Sequence, residues 1–208
     1  MKTRDRILQT SLTLFNDQGE GAVSTNHIAD EMDISPGNLY YHFRNKDQIV
    51  AELYDRFHGS ASALLDVPQD ITLDLEDLWL FLHLVLEKIY DFRFFYNNMT
   101  DILRRLKGTR RQFGFLLEAK RGAAIRLCRL LRDSGQMQAS DEEIEDLSIN
   151  LVMVATYWTN FQSTRTLPST VGGNQPGNGA YQVMSLLTPY LREPERSHLI
   201  HLAEAYRR

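Results

Sequence analysis

The chain has 208 residues, of which 43% are hydrophobic and 24% charged, and its formal net charge at pH 7 is −4. This balance allows a buried core and excludes a protein that coats nucleic acid through bulk positive charge, although it permits a local contact. One cysteine, Cys128, excludes an internal disulfide, and without an apolar leader or a run of about 18 apolar residues we expect a cytoplasmic protein that does not contact membranes.

The N-terminal part of the chain begins with two predicted helices. Thr3 can cap the first helix, whose broad apolar stripe ends near Gly19, and Ser24 or Thr25 starts a short second helix. A turn at residues 33–35 then leads into a third helix. Helix, three-residue turn and helix form the pattern of a helix-turn-helix, which lays its second helix in the major groove of DNA.

The third helix belongs to the stretch ISPGNLYYHF, residues 34–43, which has a well-marked start and is very short. Ser35 is a good N-cap, and Pro36 suits the first helical position because its missing N–H would have no partner there. Leu39 and Phe43 fall on one face, so the opposite face is polar and aromatic. A groove about 12 Å wide needs no longer helix, which accounts for the shortness of this one.

The exposed face of the third helix offers contacts to bases and to phosphates. Gly37 lets the backbone approach DNA closely, Asn38 can hydrogen-bond a base edge, and Tyr41 can pack against a thymine methyl group. Tyr40 and His42 can donate hydrogen bonds to phosphates. These side chains therefore predict a DNA-reading surface.

The remainder of the chain also reads as helix. Asn45 can cap a fourth helix, and Lys46 at its start adds a charge where backbone N–H groups already favour an anion. The chain breaks at residues 67–70, because Pro68 disfavours helix in the residue before it. Further helices are predicted at residues 73–92, 94–106, 109–134, 141–165, 178–191 and 195–206, with a loop rich in Pro, Gly and Asn at 167–179. We therefore predict an all-α protein.

The stretch STNHIADEMDISPGNLYYHFRNKDQIV, residues 24–50, resembles the N-terminal domain of the TetR-family transcriptional repressors of the TetR/AcrR type. The family pattern is a Thr-rich start, an I-A pair, S-x-G-x-L-Y-x-H-F, and N-K or K-K before an apolar helix. The resemblance implies an N-terminal three-helix helix-turn-helix domain, residues 1–47, and a larger C-terminal helical bundle domain, residues 48–208, for ligand binding and dimerisation. The positions that it implies for DNA contact are Thr25, Ser35, Gly37, Asn38, Tyr40, Tyr41, His42 and Lys46.

The resemblance also implies a function, namely a ligand-responsive regulator that binds double-stranded operator DNA as a homodimer and is released by a small, mostly apolar effector. Aromatic and Met side chains are dense around residues 79–96, and although most single members are expected to be core, as a set they could line an apolar pocket like that of the family. The residues chosen for effector binding are Trp79, Phe95, Phe115 and Tyr157.

A basic segment, residues 101–132, holds ten Lys or Arg residues against two acidic ones. Such a segment is more often a solvated helix face than a binding site. Should one or two of its arginines turn inward, an acidic head group on an apolar ligand would be their natural partner.

The predicted helix at residues 141–165 carries apolar side chains at alternating spacings of three and four, a seam suited to helix packing. The seam is either core or interface. The TetR family pairs its last two long helices into a four-helix dimer interface, and two half-sites on DNA require two subunits, so we favour the interface. The residues chosen for it are Leu147, Leu151, Val154 and Trp158.

Catalytic constellations are missing from the sequence, which contains no G-x-S-x-G, Gly-rich phosphate loop or H-E-x-x-H. His198 and His201 lack a nearby third ligand, so neither a metal nor a cofactor is expected. Two other classes of function stay open at this point. One is a helical enzyme or carrier whose N-terminal domain is only a scaffold, and the other is an adaptor that uses the seam at 144–161.

Overall fold

The computed structural model describes residues 2–68, 74–165 and 176–204, and within these ranges the regular elements are helical apart from one isolated β-bridge between Met137 and Leu191. The helices are α1 (Thr3–Gln18), α2 (Thr25–Glu31), α3 (Pro36–His42), α4 (Lys46–Leu65), α5 (Leu75–Asp91), α6 (Arg93–Asn97), α7 (Met99–Arg105), α8 (Lys107–Asp133), α9 (Asp141–Arg165), α10 (Pro176–Ser185) and α11 (Glu195–Glu204), with 3₁₀ turns at Glu20–Ala22 and Thr188–Tyr190. The all-α prediction is confirmed.

Side-chain caps fix the starts of the short N-terminal helices. Ser24, Ser35 and Asn45 each accept a hydrogen bond through a side-chain oxygen from the backbone N–H three residues further on, at 3.1, 3.2 and 2.9 Å. These three predicted caps are confirmed. The predicted cap at Thr3 is wrong, because Thr3 is already the first helical residue and Lys2 in the cap position makes no side-chain cap bond.

The turn between α2 and α3 is a Schellman motif. Asp33 donates its N–H to the carbonyl of Asp30 at 3.1 Å, and Ile34 donates to the carbonyl of Ala29 at 3.0 Å. These bonds hold Asp33 in the left-handed region with φ 53°. The same motif ends α8, where a glycine, Gly135, takes the left-handed position with φ 83°. The turn that orients α3 is therefore closed by its own backbone.

The chain forms two compact units. Unit 1 comprises Met1–Ser60 and Asp91–Gly114, and unit 2 comprises Ala61–Tyr90 and Phe115–Arg208. α4 and α8 therefore contribute residues to both units. The predicted boundary between the DNA-binding domain and the ligand-binding domain, at residues 47 and 48, falls near the start of α4. It stays a prediction.

Each unit has its own apolar core. In unit 1, Tyr54, Phe95 and Phe113 form a buried aromatic cluster, with ring centroids 4.8 Å apart for Tyr54 and Phe95 and 5.5 Å apart for Phe95 and Phe113. In unit 2, α10 packs on α9 so closely that a Cβ at Gly179 would lie 2.7 Å from the Cδ1 atom of Trp158. A side chain at position 179 would therefore force these helices apart.

Two predicted helices end differently in the structure. The helix predicted at 94–106 is interrupted at Asn98, whose backbone leaves helical geometry and whose side-chain amide donates to the carbonyl of Phe94 at 3.2 Å. The helix predicted at 178–191 begins earlier and stops at Ser185, and Pro189 lies in the 3₁₀ turn that follows. Residues 167–175 of the predicted loop at 167–179 lie outside the described residues, and residues 176–179 belong to α10.

Candidate nucleic-acid interface and apolar cavity

α3 is held by one apolar edge and leaves the opposite edge open. Leu39 and the C-cap residue Phe43 are completely buried, as predicted from their spacing. On the other side the Tyr41 side chain is 86% exposed and Tyr40 is about half exposed. A tyrosine with so little buried surface contributes little to the core. This edge is therefore available for contact with another molecule.

Arg4 of α1 fixes the C-terminal end of α3. Its guanidinium donates to the carbonyl of His42 at 2.6 Å and lies 4.2 Å above the centre of the Phe43 ring. Glu52 of α4 forms an ion pair with the same guanidinium. Three elements of unit 1 therefore meet at the end of α3, and this arrangement gives its exposed edge a defined orientation.

A polar cleft of about 370 Å³ lies beside α3, lined by residues 21–25, Tyr40 and residues 44–46. Thr25 Oγ1 and the Tyr40 hydroxyl lie 3.0 Å apart and share a hydrogen bond at its edge. The cleft includes Asn45 and the first residue of α4, and the backbone N–H groups of a helix start attract anions. Its size and the backbone N–H groups at the start of α4 suit a backbone phosphate.

Sequence reasoning missed one candidate in this cleft, Arg44. Its side chain is exposed and it lies between the end of α3 and the cap of α4. The signal was present, because a basic residue directly precedes Asn45 at the start of a capped helix. Arg44 therefore joins the candidates for phosphate contact.

The Lys46 ammonium is bound by groups of unit 1, while its side chain is 26% exposed. Its Nζ donates to the carbonyls of Glu20 at 2.8 Å and Val23 at 3.0 Å and lies 3.1 Å from Glu20 Oε1. Arg105 of α7 lies 3.1 Å from the other carboxylate oxygen of Glu20, a residue only 3% exposed. Lys46 thus neutralises a buried acid in this conformation while it also lines the cleft, and the phosphate contact predicted for it stays a prediction.

The other seven predicted DNA-contact residues lie on or beside the open edge of α3. Tyr41 and His42 pack edge to face with ring centroids 5.1 Å apart, and Ser35 remains exposed while it caps the helix. These residues are Thr25, Ser35, Gly37, Asn38, Tyr40, Tyr41 and His42. The structure therefore brings them together as one surface.

Unit 2 contains an apolar cavity of about 50 Å³. Its walls come from α5 (Leu78, Phe81, Leu82, Val85), α8 (Lys120, Ala124, Leu127, Cys128, Leu131), α9 (Leu151, Val152, Ala155) and from Leu65, Val183 and Leu187. Nearly all of this wall is aliphatic, which is typical of a site for an apolar ligand.

The four residues predicted to bind an effector do not line this cavity, and their role stays a prediction. Phe95 is buried in the aromatic cluster of unit 1, while Phe115 and Tyr157 are more than half exposed. Trp79 lies near His83 on α5, with ring centroids 6.3 Å apart. Aromatic density in residues 79–96 largely reflects core packing, with Phe81 as the member that lines the cavity, and most of the wall is built from aliphatic side chains that carry no special sequence signal.

One member of the basic segment does turn inward, and it is a lysine. Lys120 is 6% exposed, lines the cavity, and its Nζ lies 3.5 Å from Thr156 Oγ1. Burial lowers the pKa of Lys120 to about 7 and raises the pKa of the neighbouring thiol of Cys128 to about 12.

Three arginines of the same segment face acidic residues at the surface. Arg121 forms an ion pair with Glu145, Arg129 lies 3.6 Å from Glu145, and Arg132 lies 2.9 Å from Asp141. These three arginines therefore lie on a solvated helix face, as is usual for a basic segment.

α9 carries apolar side chains on two faces. Leu147 and Leu151 are buried inside the protomer, and Val154 and Trp158 are half-buried. The exposed apolar side chains form a separate stripe, which we call the α9 stripe: Ile149, Met153, Tyr157 and Phe161, each 50 to 53% exposed. Leu147 and Leu151, which were chosen as interface residues, are core side chains of the single protomer, and the predicted interface stays a prediction.

Family models match nearly the whole chain. A model described as a bacterial transcriptional repressor of the TetR type matches residues 56–199, and one described as bacterial regulatory proteins of the tetR family matches residues 7–53. The chain belongs to the TetR family. This is a family of DNA-binding transcriptional regulators and not of enzymes, and in the described residues no helix is long and apolar enough to cross a membrane.

Individual relatives agree with this membership. The transcriptional repressor KstR2 of Mycolicibacterium smegmatis is 43% identical over 54 residues, which is 26% of this chain and 26% of that protein, so the match spans about a quarter of that curated relative. A crystal structure of a TetR-family regulator from Marinobacter aquaeolei VT8 is 36% identical over 100% of both chains, with a TM-score of 0.90. A SmeT–triclosan complex shares the fold at 17% identity, with a TM-score of 0.62 over 92% of this chain and 93% of that one.

Proposed function

We propose that this TetR-family regulator represses transcription by binding operator DNA as a homodimer, and that a mostly apolar small molecule in the unit 2 cavity releases it. The observation that carries the proposal is the open edge of α3, where exposed tyrosines and small polar side chains lie opposite a fully buried edge. A helix presented in this way fits the major groove.

The contacts to DNA divide into two kinds. Gly37, Asn38 and Tyr41 on the open edge contact base edges, and Tyr40 with Arg44 at the polar cleft contacts phosphates. Arg44 replaces Lys46 in the second role, because the Lys46 ammonium is used by Glu20 and Val23. Base contacts set the sequence preference, and phosphate contacts set affinity and its dependence on salt.

The dimer forms through the α9 stripe. Four apolar side chains at a spacing of four residues are about half exposed in the single protomer, which is unusual for a helix that already buries another apolar face. Pairing two copies of this stripe would bury it and place two copies of α3 for two half-sites, about one helical turn (~34 Å) or a multiple apart. The adaptor hypothesis loses support, because Ile144, Leu147 and Leu151 of the seam on which it relied are core side chains.

The effector acts through a difference in affinity between two states of the dimer. A ligand that binds the DNA-incompetent state more tightly shifts the equilibrium only by that difference, and DNA must weaken its binding to the same extent. A largely aliphatic cavity in unit 2 supports an apolar effector, and SmeT, a protein of this fold, has been solved as a complex with triclosan.

Gel retardation on the DNA that flanks the coding region tests the proposal. We expect a discrete retarded complex that unlabelled random DNA does not compete away and that an apolar effector dissolves. A protein that retards flanking DNA and random DNA equally would refute a specific operator-binding role.

A further inference from the structure

We infer that a second cleft in unit 1, at the start of α8, binds a backbone phosphate of the operator DNA. This inference rests on the proposed function, because it adds a further contact to the DNA that α3 reads. The cleft, which we call the α8 cleft, has a volume of about 440 Å³ and is lined by α4 and by the junction of α7 with α8. Its wall includes Asp55 of α4 and residues 105–109.

The positive charge of unit 1 is concentrated beside this cleft. Residues 1–60 hold six Lys or Arg residues against nine acidic ones, whereas residues 101–111 hold five Lys or Arg residues against one acidic residue. Lys107 and Arg110 are exposed there, and neither side chain forms an ion pair with a described residue. Because DNA binding draws much of its affinity from neutralised phosphates, a net negative helix-turn-helix segment needs a positive surface nearby.

The start of α8 offers backbone donors to the cleft. Leu106 precedes the first helical residue, and its apolar side chain cannot accept a cap hydrogen bond. Arg110 donates its N–H to the carbonyl of Leu106 at 3.0 Å, so the N–H groups of residues 107–109 precede the helical ladder of hydrogen bonds. A Cβ at Gly108 would meet no atom within 4 Å, so the space beside it is open. The start of this 27-residue helix therefore favours an anion.

Thr109 adds an independent indication of a ligand. It is only 5% exposed, and it lines the α8 cleft. Its hydroxyl forms no hydrogen bond with any residue that the structure describes. Since most of Thr109 is enclosed and such a group is costly to leave without a partner, the cleft is where its hydroxyl can find an acceptor. A phosphate oxygen at the start of α8 is an acceptor of this kind.

Ion pairs place the α8 cleft next to the polar cleft beside α3. Arg105 lines the α8 cleft, and its guanidinium lies 3.1 Å from a carboxylate oxygen of Glu20 and pairs with Asp47. Glu20 and Asp47 are the chain neighbours of Gly21 and Lys46, which line the polar cleft. The two clefts are therefore adjacent within unit 1, and one DNA backbone can pass both of them.

Asp55 is the acidic residue among the described residues that line the α8 cleft. Its side chain on α4 is exposed and repels a phosphate. We therefore expect the phosphate on the α8 side of the cleft, with the Lys107 ammonium, the Thr109 hydroxyl and the first N–H groups of α8 as donors. Such contacts add affinity without adding sequence preference.

The salt dependence of DNA binding tests the inference. Anisotropy titrations of the flanking DNA at several KCl concentrations compare the wild type, Lys107→Ala and the control Arg104→Ala. Both substitutions remove one positive charge from an exposed side chain, but Arg104 lies outside the cleft wall and is bound by Asp101 at 2.7 Å. We expect Lys107→Ala to weaken binding about tenfold at about 0.1 M salt and to lower the slope of log K against log salt by about one, with base preference unchanged. Arg104→Ala should have less than half of this effect on the slope.

Two further variants test the geometry and the sign of the charge. Thr109→Val keeps the shape of the side chain and removes its hydroxyl, so binding should weaken about fivefold with an unchanged slope. Asp55→Asn removes the opposing charge and should tighten binding. Ethylation of one operator phosphate should interfere with the wild type and no longer with Lys107→Ala. An unchanged slope in Lys107→Ala, or an equal decrease in Lys107→Ala and Arg104→Ala, would overturn the inference.

The inference and the proposed function can fail separately, because a phosphate contact does not depend on base sequence. A wild type that binds flanking and random DNA equally, with a lower slope in Lys107→Ala on both, would overturn the operator-specific role alone. Specific binding of flanking DNA with the same slope in Lys107→Ala would overturn the α8 cleft alone. Inorganic phosphate is also titrated into the free protein. A thermal shift that Lys107→Ala abolishes, with no change in the DNA slope, would assign the cleft to a free phosphate ion and overturn the DNA contact.

Discussion

α3 and α9 present their functional side chains in different ways. α3 has seven residues and buries one edge, so its orientation in unit 1 leaves a single face for a partner. α9 has 25 residues with apolar side chains on two faces, one inside the protomer and one at the surface. A helix with one apolar face can pack in one way. In a helix with two apolar faces, the packing of the other elements determines which face is buried in the core.

The largest expected effects come from charged substitutions at two positions of α9 that lie two residues apart. Leu151→Asp places a charge at a side chain that is 7% exposed and should cost about 4 kcal/mol or more, enough to unfold unit 2. Met153→Asp changes a side chain that is 52% exposed in the α9 stripe and should give folded monomers with weakened operator binding. Circular dichroism and sedimentation velocity separate these outcomes. A folded Leu151→Asp dimer would show that the assignment of faces is inverted.

The second prediction concerns the stability of unit 2. Lys120→Met should raise the free energy of unfolding by about 3 kcal/mol at pH 7, because it removes a buried amine. The unfolded chain binds more protons than the folded one between about pH 7 and the ordinary lysine pKa of 10.5, so wild-type stability rises with pH there. The advantage of Lys120→Met should therefore shrink towards pH 10. Urea unfolding at several pH values measures this, with Lys107→Met as the control; a constant difference would contradict a buried amine.

The third prediction contrasts two residues proposed from sequence for the same surface. Lys46→Ala should cost about 2 kcal/mol, because it leaves the buried Glu20 with Arg105 as its remaining cationic partner. Tyr41→Ala should change stability by less than about 0.5 kcal/mol, since its side chain is 86% exposed. Thermal unfolding without DNA compares them. Equal stability of the two variants would restore Lys46 as a DNA contact.

The smallest effects are expected at two left-handed turn residues. Asp33→Gly should stabilise unit 1 by about 0.5 kcal/mol, because glycine adopts a φ of 53° without strain. Gly135→Ala should destabilise by about 1 kcal/mol for the converse reason. Chemical denaturation resolves both. A loss of stability in Asp33→Gly would mean that the aspartate side chain does more in this turn than its backbone conformation requires.

The DNA-reading surface could be predicted from sequence because its determinants are local. Ser35, Pro36 and Leu39 specify the start and the buried edge of α3 within five residues. At the flanking helices, too, each cap side chain bonds a backbone N–H only three residues further on. The contacts of Lys46 could not be predicted for the opposite reason, since its partner Glu20 lies 26 positions away.

The cavity and the interface depend on contacts that the sequence does not reveal. Lys120 is one of ten basic residues in its segment, and only the packing of α8 against α5, α9 and α10 shows which of them lines the cavity. The spacing of three and four in α9 correctly indicated helix packing, but it could not separate Leu151 in the core from Met153 at the surface.

The central claim, that the open edge of α3 reads operator DNA, is tested most directly by one anisotropy titration. Wild type, Tyr41→Ala and Phe115→Ala are titrated with the flanking DNA fragment at fixed salt. Both substitutions remove an aromatic side chain that is more than 60% exposed, but Phe115 belongs to unit 2. We expect Tyr41→Ala to weaken binding at least tenfold, about 1.4 kcal/mol, with altered base preference, and Phe115→Ala to bind as the wild type does. Unchanged affinity in Tyr41→Ala, or an equal loss in both variants, would contradict the account.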